Sequence, residues 1–535
     1  MKSIKKFLAV ILSMTLMLTL GTATFGAQKT LPSGKDTGSI NVTNLKPGDT
    51  VTAYQFVKAD YNEYGFTGYS AINNYVKDPV APTAQEVIDM ASNAATMTVA
   101  AEKKVATGDT EVTLNGLPVG YYLVMVTSGS ETVYSPMIAG IYYSKSATDN
   151  TLTNGAISAD SDFEIKAQKC WAKSSTPKLE KTIVTPSSKN SKGDDIAIGD
   201  KITFNLSATV PSYSKEYKKV TYKIYDIMSE GLDYVDGSMK CFIEKYENNR
   251  ENIKVTPKVN GGIIEITFDS KFILEHPGQK IQVEYQAKLN EKAGVNFDAN
   301  INKAYLEYSN NPASGSTAKT GEDKVYVYTF GIDSNLFGKS TEKWNEKTKE
   351  LIKVEEGEYQ WGETEKESGI FTTTTALEGA TFTLTNNKTK KSYTATSDKY
   401  GYLKFTGLDA GEYTLQETDA PDGFTLNDAK HTVVITAEYN QDGTLKSYTI
   451  KIDDKATSTY TATYDKGVIK TITSTKESQG NISESAILKN SKMSFLPSTG
   501  GVGTTIFAIV GVVFVVVALG LHMILRGKSK LEQDR

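Results

Sequence analysis

The sequence predicts an all-β protein, a string of β-sandwich domains. Three observations carry this. Tyr is abundant (30) and Pro scarce (14), with Thr and Val recurring throughout, a composition that suits pleated, half-buried surfaces. Apolar residues alternate with polar ones in short runs, as in Ile202, Phe204, Leu206, Ala208 and Val210, and again in Ala380, Phe382 and Leu384; that is the period of a strand with one buried face. The chain has 535 residues, 39% apolar and 23% charged, enough for three or four globular domains at ~150 residues each. Short helices are expected only near Thr83–Ala95 and Ser340–Ile352.

Both ends read as processing segments. Lys2, Lys5 and Lys6 precede an apolar run from Phe7 to Leu20 and small residues from Gly21 to Ala27. This is the order of a secretory signal, residues 1–27, cut between Ala23 and Ala27. A second apolar run, Val502 to Leu525, is long enough to cross a bilayer. Arg526, Lys528 and Lys530 follow and should stay cytoplasmic. Just before the run stands Leu496-Pro497-Ser498-Thr499-Gly500.

Composition excludes much. The only His are His276, His431 and His522, and the only Cys are Cys170 and Cys241. No CxxC metal site, HExxH or GxSxG motif is present, so no metal, cofactor or enzymatic activity is expected. A net charge of −4 gives no nucleic-acid footprint. Outside the cell the two Cys either pair or stay as thiols.

Two stretches read as joints: Ala172 to Pro177, and the Gly-, Ser- and Thr-rich Asn310 to Asp323. They divide the mature chain into domains 28–170, 171–324 and 325–495, with 496–535 as the C-terminal signal. The pattern GLxxGxY occurs twice, at Gly116–Tyr122 and Gly407–Tyr413, each ahead of an expected strand. The first and third domains therefore read as sandwiches of one kind.

Parity singles out three polar residues in the middle domain, because equal-parity residues share a strand face. Lys181 falls on the face of Leu179 and Ile183. Asp226 falls on that of Val220, Tyr222 and Ile224, and Asn302 on that of Ala304, Leu306 and Tyr308. Unpaired buried charges cost several kcal/mol, so the three should meet. Burial lowers the Lys pKa and raises that of Asp. A neutral amine can then attack the Asn302 carboxamide carbon while a protonated Asp226 hydrogen-bonds its carbonyl and shuttles the proton. Loss of ammonia leaves an isopeptide bond.

The LPSTG pentapeptide, apolar span and basic tail resemble the cell-wall sorting signal of Gram-positive surface proteins. The resemblance implies that a sortase cuts between Thr499 and Gly500 and transfers the Thr499 carbonyl to an amine. Nearly the whole mature chain resembles the shaft subunits of sortase-assembled pili. Pro177–Thr182, Tyr225–Leu232 and Asn302–Asn310 look like the first, acid-bearing and last strands of their middle domain, which carry a Lys, an Asp and an Asn. This implies immunoglobulin-like, collagen-adhesin-type sandwiches and assigns those roles to Lys181, Asp226 and Asn302. The third domain resembles the collagen-adhesin B-type module. Glu417–Phe424 matches its ETxAPxGY box with Phe for Tyr, so Glu417 should point inward as the promoting acid, with Asn490 as acceptor. The family's Lys position near 336 holds Leu336; Lys339 is taken instead, with Lys353 as the other option. Val126, where the first domain would need that acid, implies no such bond there. The Lys that joins subunits lies, in the family, about a dozen residues before the middle-domain Lys. Lys169 occupies that place in a degenerate motif, with Lys166 and Lys173 as rivals.

The resemblance implies a wall-anchored covalent pilus, with sortase, further copies of the subunit and peptidoglycan as partners, and host extracellular matrix as a possible target. The alternatives are a monomeric wall-anchored adhesin and an accessory tip or basal subunit.

Overall fold

The structure is a computed structural model. It describes residues 31–332 and 378–478 apart from short loop stretches, and strand backbone at 342–345, 350–353, 365–367, 370–372 and 491–492. The secretory signal, the LPSTG motif and the second apolar run lie outside the described residues. Among the described residues no helix is long and apolar enough to cross a membrane.

The described chain is almost entirely β-structure in successive bodies. The N-terminal body packs a three-stranded sheet against a six-stranded one. The small sheet holds Lys169–Trp171, Thr37–Thr43 and Glu111–Pro118, in that order. The larger is centred on Thr50–Asn62, Gly120–Thr127 and Met137–Ser144. Ile40, Val42, Val51, Tyr122, Val124 and Ile141 fill the space between. The helix Ala84–Ser92 arises where sequence places one. Thr83 caps it, accepting from the Glu86 amide while Glu86 caps the Thr83 amide in return, which satisfies two end groups reciprocally. Val87, Met90 and Ala91 face Phe56, Tyr121 and Leu123 on the sheet's outer side.

The middle body is a sandwich of two sheets. One runs Leu179–Ile183, Lys201–Thr209, Lys280–Leu289, Lys240–Glu244, Arg250–Ile253. The other contains Gly193–Asp195, Asp323–Tyr328, Asn300–Asn311, Tyr222–Met228, Ile263–Thr267 and Lys258–Asn260. The alternating residues from Ile202 to Val210 are all buried in its core.

The third body has a seven-stranded sheet from Ser392–Thr396 to Val468–Ser478, with Thr381–Asn386 and Gly411–Asp419 near one end. Ala380, Phe382 and Leu384 are buried there as their alternation requires. Phe330–Ile332 pairs with Phe405–Leu408 on the facing side.

Two expectations are corrected. Asn310–Asp323 is no joint. Asn300–Asn311 and Ser316–Lys319 form a hairpin in the middle body, and Asp323–Tyr328 pairs back onto Asn300–Ala304. The Gly and Ser residues there mark a hairpin turn, and the strand of Asn302 is followed by one more in its sheet. Second, Ser340–Ile352 is not helical. Glu342–Asn345 pairs antiparallel with Glu350–Lys353 and with Ile370–Thr372, so ladder pairing overrides the helix-like run of charges between the strands. Of the two readings left open for Cys170 and Cys241, the structure has them as unpaired thiols. Both are buried, in different bodies, and burial pushes each thiol up to about 12.

The two GLxxGxY segments are built alike. Gly116 and Gly407 have φ of +70° and +77°, which Gly adopts without penalty. The Tyr122 hydroxyl donates to the Pro118 carbonyl at 2.5 Å and that of Tyr413 to the Asp409 carbonyl at 2.8 Å. In each a strand follows, Gly120–Thr127 and Gly411–Asp419.

The middle and third bodies meet at a polar seam. Asp195 accepts from the Ala410 amide at 2.5 Å and from the Tyr439 hydroxyl at 2.6 Å. Lys391 Nζ donates to the Ile198 carbonyl and to Asp200. Burial raises the Asp195 carboxyl to about 6, and Asp194 and Asp409 push the same way against the two hydrogen bonds. The docked state therefore binds the extra proton between the ordinary carboxylate range and pH 6. This contribution to stability is greatest below about pH 4 and is lost as pH rises through 6. Asp195→Asn removes the charge, keeps an acceptor for the Ala410 amide and turns the second oxygen into a donor toward the Tyr439 hydroxyl. We expect it to flatten this part of the pH dependence of Tm, the difference at pH 7 being about 3 kcal/mol. A variant whose Tm follows the parent's pH profile would remove Asp195 from the account.

Candidate functional site

The three residues that parity singled out meet at the centre of the middle sandwich. Lys181 comes from one sheet, on Leu179–Ile183, where it is cross-strand from Leu206. Asp226 and Asn302 come from the other, on adjacent antiparallel strands in which Asp226 faces Ala304 and Met228 faces Asn302. All three side chains are fully buried. Lys181 Nζ donates to Asp226 Oδ2 in a short contact. Burial drives the Lys181 amine down and the Asp226 carboxyl up, against the mutual attraction of the pair. Both shifts favour the neutral amine and neutral acid. The amine also sits 5.0 Å from the centre of the Phe204 ring and 5.3 Å from that of Tyr285.

A second layer holds the Lys181 backbone. Its amide donates to Asp323 Oδ2 at 2.6 Å, and Lys192 Nζ bridges the Lys181 carbonyl and the same carboxylate, each at 2.6 Å. The strand of Lys181 is thus tied to Asp323–Tyr328 in the opposite sheet.

One member of the site was not anticipated. Tyr285, on Lys280–Leu289, places its hydroxyl among the three. It donates to Asp226 Oδ1 at 2.7 Å and accepts from Lys181 Nζ at 3.1 Å and Asn302 Nδ2 at 2.7 Å. The direct Asp226–Asn302 hydrogen bond expected from sequence is therefore replaced by one through Tyr285. Asn302 Oδ1 is buried with no hydrogen-bond partner among the described residues. Tyr285 shares its parity with Ile281, Val283, Ala287 and Leu289, all buried. A Tyr on such a face reads as core; its polar tip was the one available signal.

The third body answers only in part. Glu417 is 2% exposed, so it points inward as expected, and its Oε2 accepts from the Asn427 amide at 2.7 Å. Ser491–Lys492 pairs with Phe424–Thr425, which brings the chain beside Asn490 to the segment just before Asn427. Asn490 and Lys339 lie outside the described residues, as does the Lys353 side chain. Val126 is buried opposite Val51, an apolar pair at the first-body counterpart of Glu417.

Lys169 is exposed on Lys169–Trp171, the edge strand of the small N-terminal sheet, paired in parallel with Asn41. Trp171 projects from the same face and is 69% exposed. Of its rivals, Lys166 is buried and ion-paired with Glu164 at 3.1 Å, and Lys173 is exposed. Thr499 and Gly500 lie outside the described residues. Among the described residues no cluster of side chains could hold a metal ion.

Three family models match. Residues 35–174 match the T6 antigen Ig-like domain, 371–451 the SpaA prealbumin-like fold domain, and 489–530 the LPXTG cell wall anchor motif. The chain is 26% identical to the trypsin-resistant surface T6 protein of Streptococcus pyogenes serotype M6, over 93% of this chain and 96% of that one. Among solved structures it resembles the T6 backbone pilin of serotype M6 Streptococcus pyogenes, with 21% identity and a TM-score of 0.57 over 86% of this chain and all of that one. The full-length major pilin SpaD of Corynebacterium diphtheriae gives 17% identity and a TM-score of 0.45, over 75% of this chain and 91% of that one. A wall-anchor motif at one end, an Ig-like module at the other and a prealbumin-like module between, on a chain matched over 93% of its length by a streptococcal surface protein, place this protein at the cell wall and make it similar to the sortase-assembled major pilins of Gram-positive bacteria.

Proposed function

We propose that the chain is the repeating unit of a covalent surface fibre. A sortase cuts after Thr499 and joins the Thr499 carbonyl to Lys169 of the next copy, and the last copy is passed to peptidoglycan. Three modules form each unit, the first ending at Ser174–Ser175, the middle one running from Leu179 through Asp323–Tyr328, and the third from Phe330 onward. The middle one is closed by a self-formed Lys181–Asn302 bond promoted by Asp226. The third is closed by a bond to Asn490 promoted by Glu417, with Lys339 as its amine. The fibre supports adhesion, with host extracellular matrix as its target. The only chemistry required of the chain is autocatalytic, one bond per site.

The observation that carries this reading is the buried Lys181–Asp226 pair beside Asn302, spanning the two sheets. A buried ion pair is often no more stabilising than apolar residues of the same volume. A reaction gives it a use: amine and carboxamide are held in reach, and the two pKa shifts supply the reactive protonation states. Intact mass of a secreted Gln28–Thr499 chain tests it. The expected mass is below that of the plain sequence by two ammonia molecules. Asp226→Ala and Glu417→Ala should each restore one. A parent chain at its plain sequence mass would end the reading.

A further inference from the structure

We propose that Tyr285 is the proton relay of the Lys181–Asn302 reaction; this rests on the crosslinking reading above. Asp226 has no hydrogen bond to Asn302 among the described residues, because the two stand diagonally on adjacent strands. Tyr285 reaches across from the facing sheet and closes that gap. Its single hydroxyl contacts the nucleophile Lys181 Nζ, the departing Asn302 Nδ2 and the acid Asp226 Oδ1.

The steps balance as follows. The Lys181 ammonium passes one proton to the Tyr285 oxygen while Tyr285 passes its own to Asp226 Oδ1, leaving a neutral amine and a neutral carboxylic acid. Nζ attacks Asn302 Cγ, and the C–N bond forms as the carbonyl electron pair moves to Oδ1. The new ammonium-like nitrogen gives a proton to the free Asp226 Oδ2. At the other carboxyl oxygen, Asp226 Oδ1 hands its proton to the Tyr285 oxygen while Tyr285 gives its own to Nδ2. The Oδ1 electron pair re-forms the carbonyl and expels ammonia. The products are a secondary amide, ammonia and a neutral Asp226, with no external acid, base or oxidant. Tyr285 begins and ends as a neutral phenol. That suits a hydroxyl whose own ionisation is strongly opposed by burial and by the neighbouring carboxylate.

The arrangement explains why a carboxylate can serve both ends of the reaction from one place. Oδ2 faces the amine and Oδ1 faces the phenol. Without the hydroxyl, nothing among the described residues connects the acid to the leaving nitrogen. The aromatic ring has a separate, packing role beside Phe204 and Tyr234, at centroid distances of 5.5 and 5.9 Å. Tyr285→Phe keeps that ring and removes only the relay.

The test is a time course of intact mass in cell-free synthesis of the Gln28–Thr499 chain, with peptide mapping of the branched Lys181–Asn302 fragment. The parent should lose this ammonia as it folds. Tyr285→Phe should fold, by circular dichroism, yet form the branched fragment at least 100-fold more slowly, the range of a lost general acid. 3-Fluorotyrosine at the same position, a more acidic phenol of nearly the same shape, should form the bond at an altered rate with a shifted pH profile, and it serves if Tyr285→Phe does not fold. Parent-like rates in either variant would overturn the relay while leaving the crosslink in place. A parent without the branched fragment would instead remove the reaction itself.

Discussion

A chain carrying Asn302→Ala should melt roughly 5–15 °C below its parent and be cleaved faster by proteases, because the middle sandwich then lacks the proposed covalent tie. Asn302→Ala isolates the tie, since the Lys181–Asp226 pair remains intact. By analogy with a disulfide, closing a loop of more than ~100 residues is worth about 2–5 kcal/mol, toward the upper end of that range. Lys181→Ala should be worse. It removes the tie and also leaves Asp226 buried beside Tyr285 without its amine, a defect of about 3–5 kcal/mol in its own right. Differential scanning calorimetry of the two variants separates the contributions. Equal melting of Asn302→Ala and parent would mean that no bond joins these strands.

Lys169→Ala should collapse the ladder of SDS-resistant high-mass species in the wall fraction to a single band, with secretion and anchoring intact. The structure sharpens the choice among neighbours. An acceptor amine must reach a sortase-bound acyl group, so it must be in solvent. Lys169 meets that requirement, whereas Lys166 is 9% exposed and engaged with Glu164. Lys166→Ala should therefore disturb folding of the N-terminal body but leave polymer in whatever chain is exported. Lys173→Ala, at an exposed site four residues on, should be silent. A ladder that survives Lys169→Ala and vanishes in Lys173→Ala would move the junction. A parent that never forms a ladder would favour a monomeric adhesin.

Much of this was legible because strand parity is strict. A residue on an alternating apolar face has few places to go, so Lys181, Asp226 and Asn302 could be put in one core without any knowledge of topology. A short helix near Thr83–Ala95 was also expected, and it forms at Ala84–Ser92. What parity cannot report is which buried groups touch. Tyr285 belongs to a face that is otherwise apolar, and its hydroxyl reaches Asp226 and Asn302 only where the two sheets pack together. The Asn310–Asp323 misreading has a related cause. Gly and Ser mark a hairpin turn and an interdomain joint equally well, and the distinction lies in the distant partner strand. The strands at Glu342–Asn345 and Glu350–Lys353 likewise depend on a third, Ile370–Thr372, too far along the chain for local propensity to register.

The position of Lys181 has a mechanical consequence. It sits only twelve residues beyond Lys169 and enters the first strand of the middle sandwich. A pull applied at the subunit junction reaches it almost at once. With Lys181 bonded to Asn302, that pull crosses directly to the long strand Asn300–Asn311 and leaves through Asp323–Tyr328 toward the third body. The intervening chain, which fully extended would release roughly 400 Å of slack, carries no load and cannot be paid out. The middle module then behaves as a stiff link of fixed length, so any give in the fibre must come from the modules on either side and the seams between them.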